Sequence, residues 1–213
     1  MPLDLPEGSF RRHDETPDTW FYSQPRFVEH IDDGAIAAVA QLYRDFFSAG
    51  GRVLDLMSSW VSHLPPEIAY GHVVGLGLNE EELAVNPRLD AYVVHNLNTN
   101  PVVPLDDAAF DAAAICVSIQ YLTHPVEVLR DLGRVLTAGS PLVVTFSNRC
   151  FPTKAVAIWQ SLDDAGHAQL VTSYLQDAGN WSDIRALDRT PGTPGADPLL
   201  AVVALSARRD RPC

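Results

Sequence analysis

Residues 55–60, 77–79, 96–98, 118–121 and 147–150 carry the polar side chains from which this chain could build a site. Each stretch ends or follows an apolar run that reads as a strand. Together they are rich in Ser, Asn and Gln and nearly free of charge. That set suits a ligand with hydroxyls and ring nitrogens. A phosphate ligand would want Lys or Arg near the first loop, and none is there. Other chemistries lack their residues. No group of His, Cys and Asp has zinc spacing, so no metal is expected. Trp60-Val61-Ser62-His63 lacks the flanking glycines of a nucleophile elbow. Gly-x-Gly-x-x-Gly is absent. Lys154, the only lysine, has no tyrosine four residues before it, which disfavours a nicotinamide dehydrogenase.

The elements that must hold these loops alternate. After a polar, proline-containing segment (1–19) and an aromatic one, "TWFYSQPRFVEHID", comes the amphipathic helix "DGAIAAVAQLYRDFFSAGG", with Asp32 or Asp33 as its cap. Strands follow at "RVLDLM", "HVVGLGL", "DAYVVHNL", within "DDAAFDAAAICVSI", and at "SPLVVTFSN". Helices are expected at "NEEELAVN", "HPVEVLRDLGRVLTAG", "PTKAVAIWQSL" and "DAGHAQLVTSYLQDAG", with at most a short one at "PPEIAYG". Strands alternating with helices imply a parallel sheet covered on both faces. The last two strands, "WSDIRALDRT" and "PLLAVVALSAR", are joined only by "PGTPGAD". A parallel crossover needs a dozen or more residues, so this pair must be antiparallel. The predicted fold is α/β: a Rossmann-like doubly wound, mostly parallel seven-stranded sheet with a C-terminal antiparallel hairpin. In such sheets ligands bind beyond the carboxyl ends of the strands, where the polar stretches lie. The expected organisation is an N-terminal arm and lid (1–29), one domain (30–207) and a short tail (208–213).

The 213 residues suit one domain with a sizeable core. A net charge of −12 disfavours nucleic acid and anionic membrane as partners and favours a small molecule. The only dense basic cluster is the tail "ARRDRPC", read as a frayed end. No apolar run suggests a signal peptide or a membrane span, so a cytoplasmic protein is expected. The three cysteines share no CxxC spacing. Cys116 reads as a small core residue, and Cys150 as structural.

The motif "VLDLMSSWVSHLP", then "VVGLGLNEEEL", then the long run from Val93 to Asn148, with "LDDAAFD" and "GRVLTAGS" in it, resemble class I S-adenosylmethionine-dependent methyltransferases. The likeness is to the compact type that methylates small metabolites and covers roughly residues 30–207. It rests on the combined order of motifs more than on any one. The resemblance implies S-adenosyl-L-methionine as cofactor, a small-molecule substrate, and a monomer or homodimer. Asp55 stands where the family has the acid beside its glycine loop. Met57, Ser58 and Ser59 replace the loop glycines, and Trp60 follows them, to cover the sulfonium or to pack under the loop. Gly77 stands in place of the acid that usually holds the ribose, with Asn79 or Glu80 as substitutes, and Leu78 is expected beside the cofactor. Asn96 replaces the usual Asp near the adenine, beside Leu97 and Asn98. Ser118 completes the expected cofactor set, and Asn98 has a turn-forming alternative.

Methyl transfer needs alignment and exclusion of water more than acid–base machinery. The arm "WFYSQPRFVEH" is the expected lid. Tyr22 and Arg26 are its candidates for contact with cofactor or substrate, and Arg26 could pair a carboxylate on either. Trp20, Phe21 and Phe27 are read as packing. Tyr22, His30, Gln120, Tyr121 and Asn148 are the candidates for the catalytic side; Arg149, His124 and His63 are read as further lining. His13, His72, His95 and His167 are left as structural or surface residues. Two alternatives stay open: a non-methyl-transfer reaction of the same cofactor, such as cyclisation of its amino-acid chain, and a non-catalytic adenosyl-ligand scaffold.

Overall fold

The computed structural model describes residues 5–207, so the basic tail and Cys213 lie outside the described residues. Seven strands form one sheet: β1 (Arg52–Leu56), β2 (His72–Gly77), β3 (Ala91–Val94), β4 (Ala112–Cys116), β5 (Pro141–Phe146), β6 (Trp181–Asp188) and β7 (Leu200–Ser206). Their order is β3-β2-β1-β4-β5-β7-β6. The first five are parallel, and β7 lies antiparallel between β5 and β6. This is the predicted α/β architecture, hairpin included.

Strand side chains alternate between two cores. Val53 and Val73 face α2 (Asp33–Phe46), which buries Ala35, Val39, Leu42 and Tyr43 at helical spacing. Leu54, Leu56, Ile115 and Val144 face the opposite core, with α4 (Pro125–Val135) and α6 (Asp164–Ala178). Asp32 caps α2 by accepting the Ala35 N–H, and Asp163 caps α6 by accepting that of Gly166. Gly179, at φ 77°, ends α6 in the left-handed conformation that glycine adopts at no steric cost.

Three local details stand out. No helix forms at 65–71; a turn carries the chain from β1 to β2, because Pro65 and Pro66 interrupt a stretch with no helical apolar period. In "PTKAVAIWQSL" only α5 (Ala157–Gln160) is helical. The N-terminal segment is folded onto the domain and includes α1 (Asp18–Phe21). Fully buried Lys154 explains this. Its Nζ donates to the carbonyls of Asp14 (3.2 Å) and Thr16 (2.5 Å), and the Asp14 and Asp18 carboxylates lie 3.5 Å away. Arg12 pairs with Asp18 at 2.6 Å. α3 (Glu80–Val85) completes the layer beside β2.

Candidate functional site

The crevice between β1 and β4 is where the strand order reverses, and the polar loops converge there. They line a partly open cavity of about 320 Å³, within the range of small-molecule sites.

The loop after β1 turns at Met57, a left-handed residue with φ 60°. Ser58 then runs beside β2, donating its N–H to the Leu76 carbonyl at 2.8 Å. A Cβ at Gly77 would collide with the Ser58 carbonyl oxygen. The close approach that a loop glycine usually permits is here permitted by a glycine on the facing strand. The two sequence departures, at the loop and at Gly77, are therefore one structural feature. Side chains stitch the rest of the loop. Asp55, buried, accepts from the hydroxyls of Ser58 and Ser62, both at 2.6 Å. Glu82 accepts from Ser59 Oγ at 2.5 Å, and Asn86 donates to the Ser59 carbonyl and to Ser62 Oγ. Burial, with no cation to offset it, pushes the Asp55 carboxyl up to about 6, against the pull of the two serine bonds.

The arm closes over this rim. The Arg26 N–H bonds Glu82 Oε1 at 2.7 Å, Asn79 Nδ2 donates to the Tyr22 carbonyl at 2.9 Å, and Trp60 Nε1 to that of Val28 at 3.1 Å. Asn79 also caps α3 through the Glu82 N–H. Asn98 donates to Asp18 and to the Tyr121 carbonyl and accepts the Thr123 N–H, so it joins arm and rim structurally. Asn96 holds a turn by accepting the Asn98 N–H. On the β5 side, Tyr121 OH accepts the Phe151 N–H at 2.8 Å, and burial pushes its phenol up to about 12. The Tyr22, Tyr121 and His30 rings approach Phe151 with centroids 5.2–6.4 Å away.

Two further left-handed residues line the cavity, His63 (φ 51°) and Val117 (φ 41°). For a β-branched residue this is a strained conformation, and such strain concentrates at functional sites. Desolvation, then the nearby His30, lowers the His63 imidazole to about 4, which keeps it neutral at pH 7. Burial raises the Cys116 thiol to about 11, so it is not a thiolate nucleophile.

The cavity brings together Tyr22, Arg26, His30, Asp55, Met57, Ser58, Ser59, Trp60, Gly77, Leu78, Asn79, Asn96, Leu97, Asn98, Ser118 and Tyr121. Gln120 and Asn148 are not on it. Gln120 is buried and turns its amide to the Val117 carbonyl at 2.8 Å; Asn148 is exposed. Cys116 reaches the cavity wall instead of lying wholly in the core. His95, Glu82, Val117 and Phe151 also line it and were not expected there. For Glu82 the signal was present in "NEEEL": the third acid of a capped first turn lies on the face that the cap residue presents. His167 is structural, stacked on Trp159 at 3.9 Å. No group of His, Cys, Asp and Glu among the described residues could hold a metal, and no helix among them is long and apolar enough to cross a membrane.

No family model matches the chain, and no curated protein matches its sequence. Solved structures match its shape. A 4+2 cyclase, SpnF, superposes with a TM-score of 0.63 at 15% identity, over 89% of this chain and 91% of that one. An S-adenosylmethionine-dependent methyltransferase from Aquifex aeolicus gives 0.58 at 18% identity, over 89% and 97%. The phosphoethanolamine N-methyltransferase 2 of Haemonchus contortus, solved with S-adenosyl-L-methionine, gives 0.59 at 14% identity over 81% of this chain; the match spans 52% of that enzyme's length. Topology and neighbours agree: the chain has the Rossmann-like fold of class I S-adenosylmethionine-dependent methyltransferases.

Proposed function

We propose that this chain binds S-adenosylmethionine at the β1–β4 crevice and transfers its methyl group to a small-molecule acceptor. The carrying observation is the cavity: partly open, lined by uncharged loops on the β1–β4 side, and overlain by an aromatic arm. The residues are compatible with the ligand in two respects. Ser118 Oγ is buried on the cavity wall without a partner. Such a group costs free energy until a ligand meets it. The arm's bonds to Glu82 and Asn79 occupy the polar groups nearest the usual ribose position, and lifting the arm would free both. Asp55 is spent on its serines and would act through the loop. Trp60, Leu78, Asn96, Leu97 and Ser118 would hold the adenosyl part.

Bound S-adenosylmethionine supplies an electrophilic methyl on a sulfonium. This chain's task is to orient the acceptor and exclude water. The arm, with Tyr22, serves both ends. His63, neutral at pH 7, and His30 line the same cavity and are the imidazoles we assign to taking the acceptor's proton. The same fold carries a cyclase, so the test must follow the methyl group itself. Calorimetry with S-adenosylmethionine and S-adenosylhomocysteine, coupled to mass spectrometry, is that test. Binding at about micromolar Kd with the ligand intact until an acceptor is added supports methyl transfer. Ligand conversion without acceptor moves the proposal to an intramolecular reaction. No binding of either overturns it.

A further inference from the structure

Arg26 is the one cation on the cavity wall whose guanidinium is enclosed by aromatic rings. Its carbon lies 4.6 Å from the Phe21 centroid, 5.3 Å from Phe151 and 5.5 Å from Tyr22. Nη2 donates to the Phe21 carbonyl at 2.7 Å, but Nη1 is buried with no partner. A desolvated cationic donor without an acceptor is expensive, and a charge-assisted bond would recover that cost. Three acids of the cavity wall are already engaged: Asp18 by Arg12, Asp55 by two serines, Glu82 by Ser59 and the Arg26 backbone. Glu29, the fourth, is exposed, and no acceptor for Nη1 is found among the described residues.

We propose that Arg26 Nη1 anchors a carboxylate on the methyl acceptor. This rests on the methyltransferase reading above. One observation assigns the anchor to the acceptor and not to the adenosyl ligand. The backbone of Arg26 touches the β2-side rim at Glu82, yet its guanidinium reaches across to Phe151, which follows β5. A carboxylate fits better than a phosphate. One unpartnered nitrogen suits a single charge, whereas a phosphate dianion wants several donors or a backbone cradle, and acidic Glu82 and Glu29 stand close by.

Benzoate, methyl benzoate and phenyl phosphate, titrated with and without saturating S-adenosylhomocysteine, test this. Wild type should bind benzoate about tenfold or more tightly than either neighbour. Arg26→Gln should abolish the preference while its S-adenosylhomocysteine affinity and melting temperature stay near wild type. Equal binding of acid and ester by wild type overturns the proposal, as does an unchanged preference in Arg26→Gln. Loss of S-adenosylhomocysteine binding in that variant, with benzoate binding kept, reassigns the guanidinium to the adenosyl ligand and also overturns it. A phenyl phosphate preference names a phosphate acceptor instead. If Arg26→Gln melts early, the acid–ester contrast in wild type decides alone. Failure of S-adenosylhomocysteine to bind while benzoate selectivity persists would sink the functional reading and leave the carboxylate site standing.

Discussion

Asp18 and Asp55 are both buried carboxylates on the wall of one cavity, and they are held in opposite ways. Asp18 sits between Arg12 at 2.6 Å and Lys154 at 3.5 Å, with Asn98 on its other oxygen. Asp55 has only the hydroxyls of Ser58 and Ser62. The first arrangement fastens the polar, proline-containing N-terminal segment to the domain through opposite charges. The second organises a glycine-less loop through an acid that burial drives toward its neutral form. A buried charge with a cation is costly to disturb; a buried acid without one can shed its charge instead.

Removing one of the two countercharges should have the largest effect. Lys154→Met leaves Asp18 short of a cation in a buried setting, and about 3–5 kcal/mol of stability should be lost. Urea unfolding checks it; a loss near zero would mean that water replaces the lysine and that the latch is not electrostatic.

The second effect separates the two acids by pH. The folded state binds the Asp55 proton more tightly than the unfolded state, so its contribution is full below about pH 4 and is lost as pH rises through about 6. The decline should approach about 3 kcal/mol, from roughly two pH units at 1.36 kcal/mol each. Asp55→Asn keeps an oxygen for both serines and should flatten that part of the stability–pH curve. A curve of unchanged slope in the variant would remove Asp55 from the account.

Gly77→Ala should cost about 1–3 kcal/mol, since its Cβ meets the Ser58 carbonyl and backbone must shift. Thermal melts of Gly77→Ala and Gly77→Asp together ask whether the family's usual acid can be restored here. The expected answer is that both destabilise and neither tightens S-adenosylhomocysteine binding. The smallest effect belongs to Asn79→Ala, about 1 kcal/mol from the lost helix cap. It should also speed hydrogen exchange across 22–28, because the Tyr22 carbonyl loses its donor. Unchanged exchange there would show that the Trp60 and Glu82 bonds hold the arm without it.

The sheet was legible in the sequence. Short apolar runs, with amphipathic or capped helices between some of them, point to a parallel sheet, and the short "PGTPGAD" link forces the last pair to be antiparallel. The ends of those strands also named most of the cavity wall, because period and topology alone decide which loops converge. Other features needed the tertiary structure. Gln120 looks like a neighbour of Ser118 and Tyr121 in sequence, but a single turn of 3₁₀ helix at 119–121 sends its amide back to Val117. Asn148 follows β5 by two residues and emerges on the solvent side. Glu82 and Lys154 acquire their roles only because residues 56 and 138 positions away pack against them. Local sequence specifies torsional preference and amphipathic period, which act over a few residues. The pairing of buried charges and the seating of Ser58 against Gly77 depend on which distant segments are brought into contact, and only the packed chain decides that.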